Sequence, residues 1–249
     1  MIEISNLKKE YKTGGGITAA VNGISLKIPE GKFVSIIGPS GAGKSTLLRL
    51  INGMLSADEG SVYIDEKNIT ELKGRAKRDV QKNICMIFQD FCLVGNSTVK
   101  KNVLNACLGK MNLLSVMFGF FGVENNEKAE KILERVGMAH KSGQMAKMLS
   151  GGERQRTAIA RALMQGGRIL LADEPVASLD PVNAEAVLEL LKELQTEKNM
   201  TVVMNSHNIE QAVKYSDWII GINSGRVVYE GEPRNMDNSV RMEIYGKDS

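Results

Sequence analysis

Short apolar runs separated by polar or glycine-rich turns dominate both ends of the chain, whereas its middle carries helical spacing. Runs suited to strands fall at residues 2–7, 24–28, 33–37, 61–64, 84–88, 169–172, 201–205, 218–222 and 226–230. Several, such as 84–88 and 169–172, are continuously apolar, as in parallel strands covered on both faces. Between Phe91 and about Arg161 the strand pattern gives way to helical periodicity. This order predicts an α/β core of about residues 1–90 and 162–249 with a helical lobe of about 91–161 inserted into it. The clearest helix covers 183–198, where Val187, Leu190, Leu191 and Leu194 share one face and Glu189, Lys192, Glu193 and Glu197 the other. Asn223-Ser224-Gly225-Arg226 predicts a hairpin-like end, and the last dozen or so residues are expected to be loosely held.

The run Phe33 to Ile37 leads directly into Gly38-Pro39-Ser40-Gly41-Ala42-Gly43-Lys44-Ser45-Thr46 and then into Leu47-Leu48-Arg49-Leu50-Ile51. A strand, a glycine-rich turn and a helix in that order form a phosphate cradle. Backbone N–H groups point inward, the helix start adds partial positive charge, and glycine lets the chain approach the anion. Lys44 is placed to reach the β- and γ-phosphates, and the Ser45 hydroxyl to ligate magnesium.

The buried run Ile169-Leu170-Leu171-Ala172 ends in Asp173-Glu174. The strand next to the phosphate loop is expected to carry these carboxylates, Asp173 holding the metal and Glu174 accepting a proton from the water that attacks the γ-phosphate. A third segment, Leu149-Ser150-Gly151-Gly152-Glu153, precedes the helical run 157–165. A serine and two glycines at a helix start make either another anion site or an ordinary capped helix.

Composition narrows the function without naming it. With 249 residues, 43% of them apolar, the chain can bury a large core. Its 32 basic and 29 acidic residues are dispersed, so no nucleic-acid footprint is present and no nucleic-acid partner is expected. Cys85, Cys92 and Cys107 have no metal-ligand spacing and fit reduced thiols in a cytosolic protein. The start Met1-Ile2-Glu3-Ile4 lacks signal-peptide character, and the most apolar stretch, Met111 to Val123, is too short to span a bilayer.

The phosphate loop, the Leu-Ser-Gly-Gly-Glu string, Leu-Leu-Ala-Asp-Glu and His207 stand in an order and at separations that resemble the nucleotide-binding subunits of ABC transporters. The resemblance covers essentially the whole chain. It implies an α/β P-loop NTPase fold, an ABC-type nucleotide-binding domain with a RecA-like core, an antiparallel β subdomain and the inserted helical subdomain. It also implies ATP and Mg2+ as ligands and a homodimer in which two ATP molecules lie between head-to-tail copies. Tyr11 then matches the aromatic that stacks on adenine, and Gln89 the residue that senses magnesium and water and links core to lobe. Asp180 matches the loop that crosses to the partner, and His207 the contact to the γ-phosphate that positions Glu174 and water. Ser150, Gly151 and Gly152 would complete the partner's ATP site, with the Ser150 and Gly152 amides on the transferring phosphoryl group.

Finer matches are similar to the phosphonate-importer ATPases. They are Ala172-Asp173-Glu174-Pro175-Val176-Ala177-Ser178-Leu179-Asp180-Pro181, Leu72-Lys73-Gly74-Arg75, Ile87-Phe88-Gln89 with Leu93-Val94-Gly95, Asn102-Val103-Leu104 with Leu108-Gly109, and the apolar stretch Leu113 to Gly122. Asn205-Ser206-His207 departs from the Asn-Leu-His common there, and Glu153 stands where glutamine is frequent. The resemblance implies integral membrane permease subunits, an extracytoplasmic substrate-binding protein acting through them, and a peripheral location on the cytoplasmic face of the membrane. An exporter or lipoprotein-release ATPase, a non-transport ABC ATPase and a non-hydrolysing regulatory module are the other readings. Met111 to Val123 reads either as lobe core or as a permease-docking surface, with Phe118 as its test position.

Overall fold

The computed structural model describes residues 1–14, 16–111 and 120–246. The test position Phe118 and most of the Met111 to Val123 stretch lie outside the described residues. Strands β1 (Ile2–Thr13) and β2 (Gly16–Ile28) form a long antiparallel hairpin. Both extend well beyond the predicted apolar runs, because backbone pairing such as Tyr11 with Thr18 carries the ladder past the charged residues. Strand β3 (Phe33–Ile37) then runs into helix α1 (Lys44–Ile51). After β4 (Glu59–Ile64), the two-residue β5 (Lys67–Asn68) and helix α2 (Gly74–Gln81) comes β6 (Ile84–Ile87).

The next described elements are helical: α3 (Val99–Leu104), α4 (Gly122–Arg135) and α5 (Gly151–Gln165), joined in part by short 3-10 turns. Helix α5 is continuous across Arg161, so the boundary expected there falls inside one element. The chain continues through β7 (Ile169–Asp173), α6 (Pro181–Lys198), β8 (Thr201–Ser206) and α7 (Ile209–Tyr215). It closes with the antiparallel pair β9 (Trp218–Asn223) and β10 (Arg226–Gly231), then α8 (Asn238–Tyr245). Ser224 and Gly225, both at positive φ, make the tight turn that joins this pair.

One sheet is antiparallel, in the order β2-β1-β4-β5, and the other is mixed, in the order β10-β9-β3-β8-β7-β6. Strands β3, β6, β7, β8 and β9 run parallel within the second. Side chains alternate across it. Leu170, Ala172, Val202 and Met204 join one core cluster with residues of α5 and α6, whereas Ile169, Leu171 and Val203 join another with α1 and the antiparallel sheet. Each fully buried aliphatic chain of this kind contributes about 1.5–3 kcal/mol, so the two-sided cover rather than any single contact holds the sheet.

Two expectations are corrected. The strand bearing Asp173 is not next to β3: β8 lies between them, pairing Phe33 with Val202 on one side and Asp173 with Asn205 on the other. Its wholly buried residues suit it to this central place. The last dozen residues are not loose throughout either, since α8 is capped by Asp237 and buries Ile244. Gly221 makes that packing possible, because a Cβ there would lie 2.6 Å from Ile244 Cδ1.

Candidate active site

The turn after β3 is shaped by contacts that exclude side chains. At Gly38, with φ 153°, a Cβ would stand 2.0 Å from the Ile222 carbonyl oxygen. At Gly43, with φ 101°, it would stand 1.9 Å from that of Ala20. The loop is also braced by the β9–β10 turn, since the Gly225 N–H donates to the Ala42 carbonyl at 3.1 Å. Gly43 is the N-cap of α1 and provides no side-chain cap, so the first N–H groups of the helix face a cleft of about 340 Å³. Residues 40–46 line this cleft together with Ala20, Gln89, Glu174 and His207.

Lys44 is 4% exposed, and its ammonium donates to the carbonyls of Gly38 at 2.8 Å and Pro39 at 2.9 Å. It also approaches His207 Nδ1 at 3.4 Å. Burial pushes its pKa down, and the carboxylates of Glu174 and Asp173 oppose that shift without cancelling it. The Ser45 hydroxyl donates to Asp173 Oδ1 at 2.7 Å, although 128 positions separate the two residues. The Asn205 amide donates to the same oxygen at 2.7 Å, and an Arg49 guanidinium nitrogen lies 4.0 Å from Asp173 Oδ2.

Glu174 follows β7 with φ 51°, a left-handed conformation uncommon for a residue with a side chain. This turns its carboxylate toward His207 Nε2, with which it pairs at the cleft wall. Both residues also border a second hollow of about 580 Å³ that extends along Val176, Leu179 and Pro181. The two form a partition between the phosphate loop and the surface at the start of α6.

Lys44, Ser45, Gln89, Asp173, Glu174 and His207 are therefore brought together. Tyr11 is not among the cleft-lining residues. It is 40% exposed on β1, with the Lys9 ammonium 5.8 Å from its ring centre. Ser150, Gly151 and Gly152 start α5 and are not among the cleft-lining residues. Ser150 Oγ accepts the Glu153 N–H, and Glu153 Oε2 accepts the Ser150 N–H at 2.9 Å, so the Ser150 amide already has a partner. Asp180 caps α6, where the Asn183 side chain and backbone N–H hold its carboxyl below the usual range. A Cβ on Gly152 would meet Asn183 at 3.3 Å, which places the two helix starts side by side.

Sequence reasoning missed Asn205, Arg49 and Ala20 as neighbours of the site. Arg49 had a signal, since it follows Ser45 by four residues and so shares its helix face. Asn205 had a weaker one, as an amide that directly follows the apolar run Val202 to Met204.

A family profile described as ABC transporter matches residues 21–177. "Phosphonates import ATP-binding protein PhnC" of Ruegeria pomeroyi is 42% identical over 249 residues, covering 100% of this chain and 90% of that protein. The protein of the same name in Lactococcus lactis subsp. cremoris is 40% identical and covers 100% of both chains. Among solved structures, the dimeric structure of MJ0796, a bacterial ABC transporter cassette, superposes with a TM-score of 0.84 at 35% identity. That match covers 95% of this chain and 100% of MJ0796. A post-hydrolysis state of MJ0796 bound to ADP and Pi gives 0.82, again at 35% identity, covering 95% and 100% of the two chains. With the glycine loop, the carboxylate pair and the histidine gathered at one cleft, and with relatives at least 40% identical matched over the whole of this chain, the chain belongs to the ABC transporter family.

Proposed function

We propose that this chain is the ATP-hydrolysing subunit that energises a membrane importer for phosphonates or related organophosphorus compounds. The observation that carries the ATPase reading is the convergence of Lys44, the Ser45–Asp173 pair and the Glu174–His207 pair on the open start of α1. The names of the relatives that span the whole chain support the transported class.

In this reading the uncapped N–H groups and Lys44 bind the β- and γ-phosphates of ATP. Lys44 must exchange the Gly38 and Pro39 carbonyls for phosphate oxygens, and its burial strengthens the new contact by excluding water. Ser45 and Asp173 offer hard oxygen donors that fit Mg2+, with Gln89 at the cleft edge. Magnesium, when bound, would neutralise charge on the phosphate oxygens. Glu174 accepts the proton of the water that attacks in line, and His207 orients that carboxylate. No covalent enzyme intermediate is needed.

A second copy supplies Ser150, Gly151 and Gly152 in trans, with the Asp180 loop at the seam. The Ser150 hydroxyl keeps its hydrogen for donation while its oxygen accepts the Glu153 N–H. The helical lobe of about 91–161 transmits closure to permease subunits at the cytoplasmic face, where a binding protein delivers substrate from the other side. No described helix is long and apolar enough to cross a membrane, which fits a peripheral subunit.

The test is uptake of labelled 2-aminoethylphosphonate in cells lacking this chain, complemented by the wild type or by Glu174→Gln, with phosphate and methionine uptake as controls. Only the wild type should restore phosphonate uptake, and purified Glu174→Gln should bind ATP, accumulate a dimer and hydrolyse about 10²–10⁴-fold more slowly. Phosphonate uptake independent of the chain would remove the substrate assignment. A variant that stays monomeric at saturating ATP and turns over at the wild-type rate would remove the role of Glu174.

A further inference from the structure

We infer that Asn205 is a positioning residue that holds the metal-binding carboxylate of Asp173 in place; the inference rests on the ATP and magnesium reading of the cleft. Strand β8 separates the phosphate-loop strand from the carboxylate strand, and Asn205 is the cross-strand neighbour of Asp173. Its side chain is 0% exposed and its Nδ2 donates to Asp173 Oδ1 at 2.7 Å. Val202, Val203 and Met204 on the same strand are apolar and equally buried.

The other end of the amide identifies its purpose. Asn205 Oδ1 is buried and has no hydrogen-bond partner among the described residues. Turning the amide over would set its oxygen against the carboxylate oxygen, two acceptors without a hydrogen between them, so the donor end must face Asp173. A buried acceptor left without a donor is unfavourable, and an apolar residue at this place would avoid it. The amide is retained for the bond it gives to Asp173. Ser45 donates to the same oxygen, but its hydroxyl is also offered to the metal, whereas Asn205 has no second task. It therefore keeps the carboxylate oriented while Ser45 changes partners, as outer groups around metal sites do.

Two variants test this: Asn205→Leu, close in size but without the amide, and Asn205→Asp, the same shape with acceptors only. ATP retention is measured by equilibrium dialysis, first in EDTA and then across a manganese series, on protein whose folding is checked by circular dichroism and melting. Binding in EDTA should stay within about twofold of wild type. The manganese concentration for half-maximal metal-dependent retention should rise about 10- to 100-fold in Asn205→Leu and at least as far in Asn205→Asp. Folded variants with the wild-type manganese dependence would overturn the inference, since a purely structural residue moves the melting point alone. If Asn205→Leu does not fold, Asn205→Val, β-branched as buried strands prefer, carries the same comparison. A wild-type chain without metal-dependent ATP binding would overturn the nucleotide reading and this inference with it.

Discussion

The phosphate loop and the Ser150 segment are built from the same materials, glycines and a serine at the start of a helix, and the chain finishes them in opposite ways. At α1 the capping position is Gly43, held at φ 101° with no side chain to satisfy the first N–H groups. At α5 Ser150 and Glu153 form a reciprocal capping box, and Lys141 pairs with the Glu153 carboxylate. The first helix start is braced from outside by the β9–β10 turn, whose Gly225 N–H donates to the Ala42 carbonyl, which leaves its N–H groups for an anion. The second is stabilised from within. A glycine-rich helix start is thus a complete anion site only when its capping comes from elsewhere in the fold. This fits the proposal that the Ser150 segment works as an accessory to another subunit's cleft.

Alanine at the two glycine positions should separate these regions most strongly. Gly43→Ala combines a strained φ with a Cβ 1.9 Å from a backbone oxygen, and should cost more than about 2 kcal/mol of stability together with loss of ATP binding. For Gly151→Ala the nearest neighbours are 3.8 Å away, so melting and ATP binding by the single subunit should stay near wild type while dimerisation with ATP declines. Equal effects in the two variants, read by melting and by ATP titration, would erase the distinction.

Removing the cap is the intermediate test. Ser150→Ala should cost about 1 kcal/mol of stability through α5, seen as a lower urea midpoint, without changing ATP affinity of the monomer. A weakened monomer affinity would mean that the two regions are coupled inside one chain.

The smallest effect concerns acid. The Lys141 ammonium first, and then the Ser150 N–H, lower the Glu153 pKa to about 2 from 4.5. Between these values the unfolded chain binds more protons at this group than the folded one, so stability rises with pH. The contribution is complete above pH 4.5 and is lost as pH falls through about 2. Glu153→Gln keeps a side chain that can close the capping box, and should flatten this part of the pH–stability curve in chemical melts between pH 5 and about 2. An unchanged slope would mean that the pairing with Lys141 adds nothing in solution.

Legibility in the sequence followed how local each cause was. Phe33 to Ile37 reads as a buried strand because four of its five residues are large and apolar, with only Ser35 between them, and β3 has those bounds. The glycine loop, the capping box at Ser150 and the Asp180 cap of α6 are all set by residues within a few positions of one another. The neighbour relation of β7 was not legible, because nothing within Ile169 to Asp173 tells whether β3 or β8 will pair with it. The docking of α8 through Ile244 was hidden as well, since it depends on the missing Cβ of Gly221 on a distant strand.

The sequence by itself determined the chemical groups of this protein and their local settings: a glycine turn that can admit an anion, a lysine and serine that follow it, a carboxylate pair ending an apolar strand, and a lone histidine after another. Backbone sterics and hydrogen bonding over a few residues are enough for that. Only the tertiary structure decided that β8 stands between β3 and β7, that Asn205 meets Asp173, and that Lys44 and Glu174 converge on His207. These contacts join residues 32 to 163 positions apart. They exist because both faces of the central sheet must be covered at once, a demand that belongs to the whole core and to no segment of it.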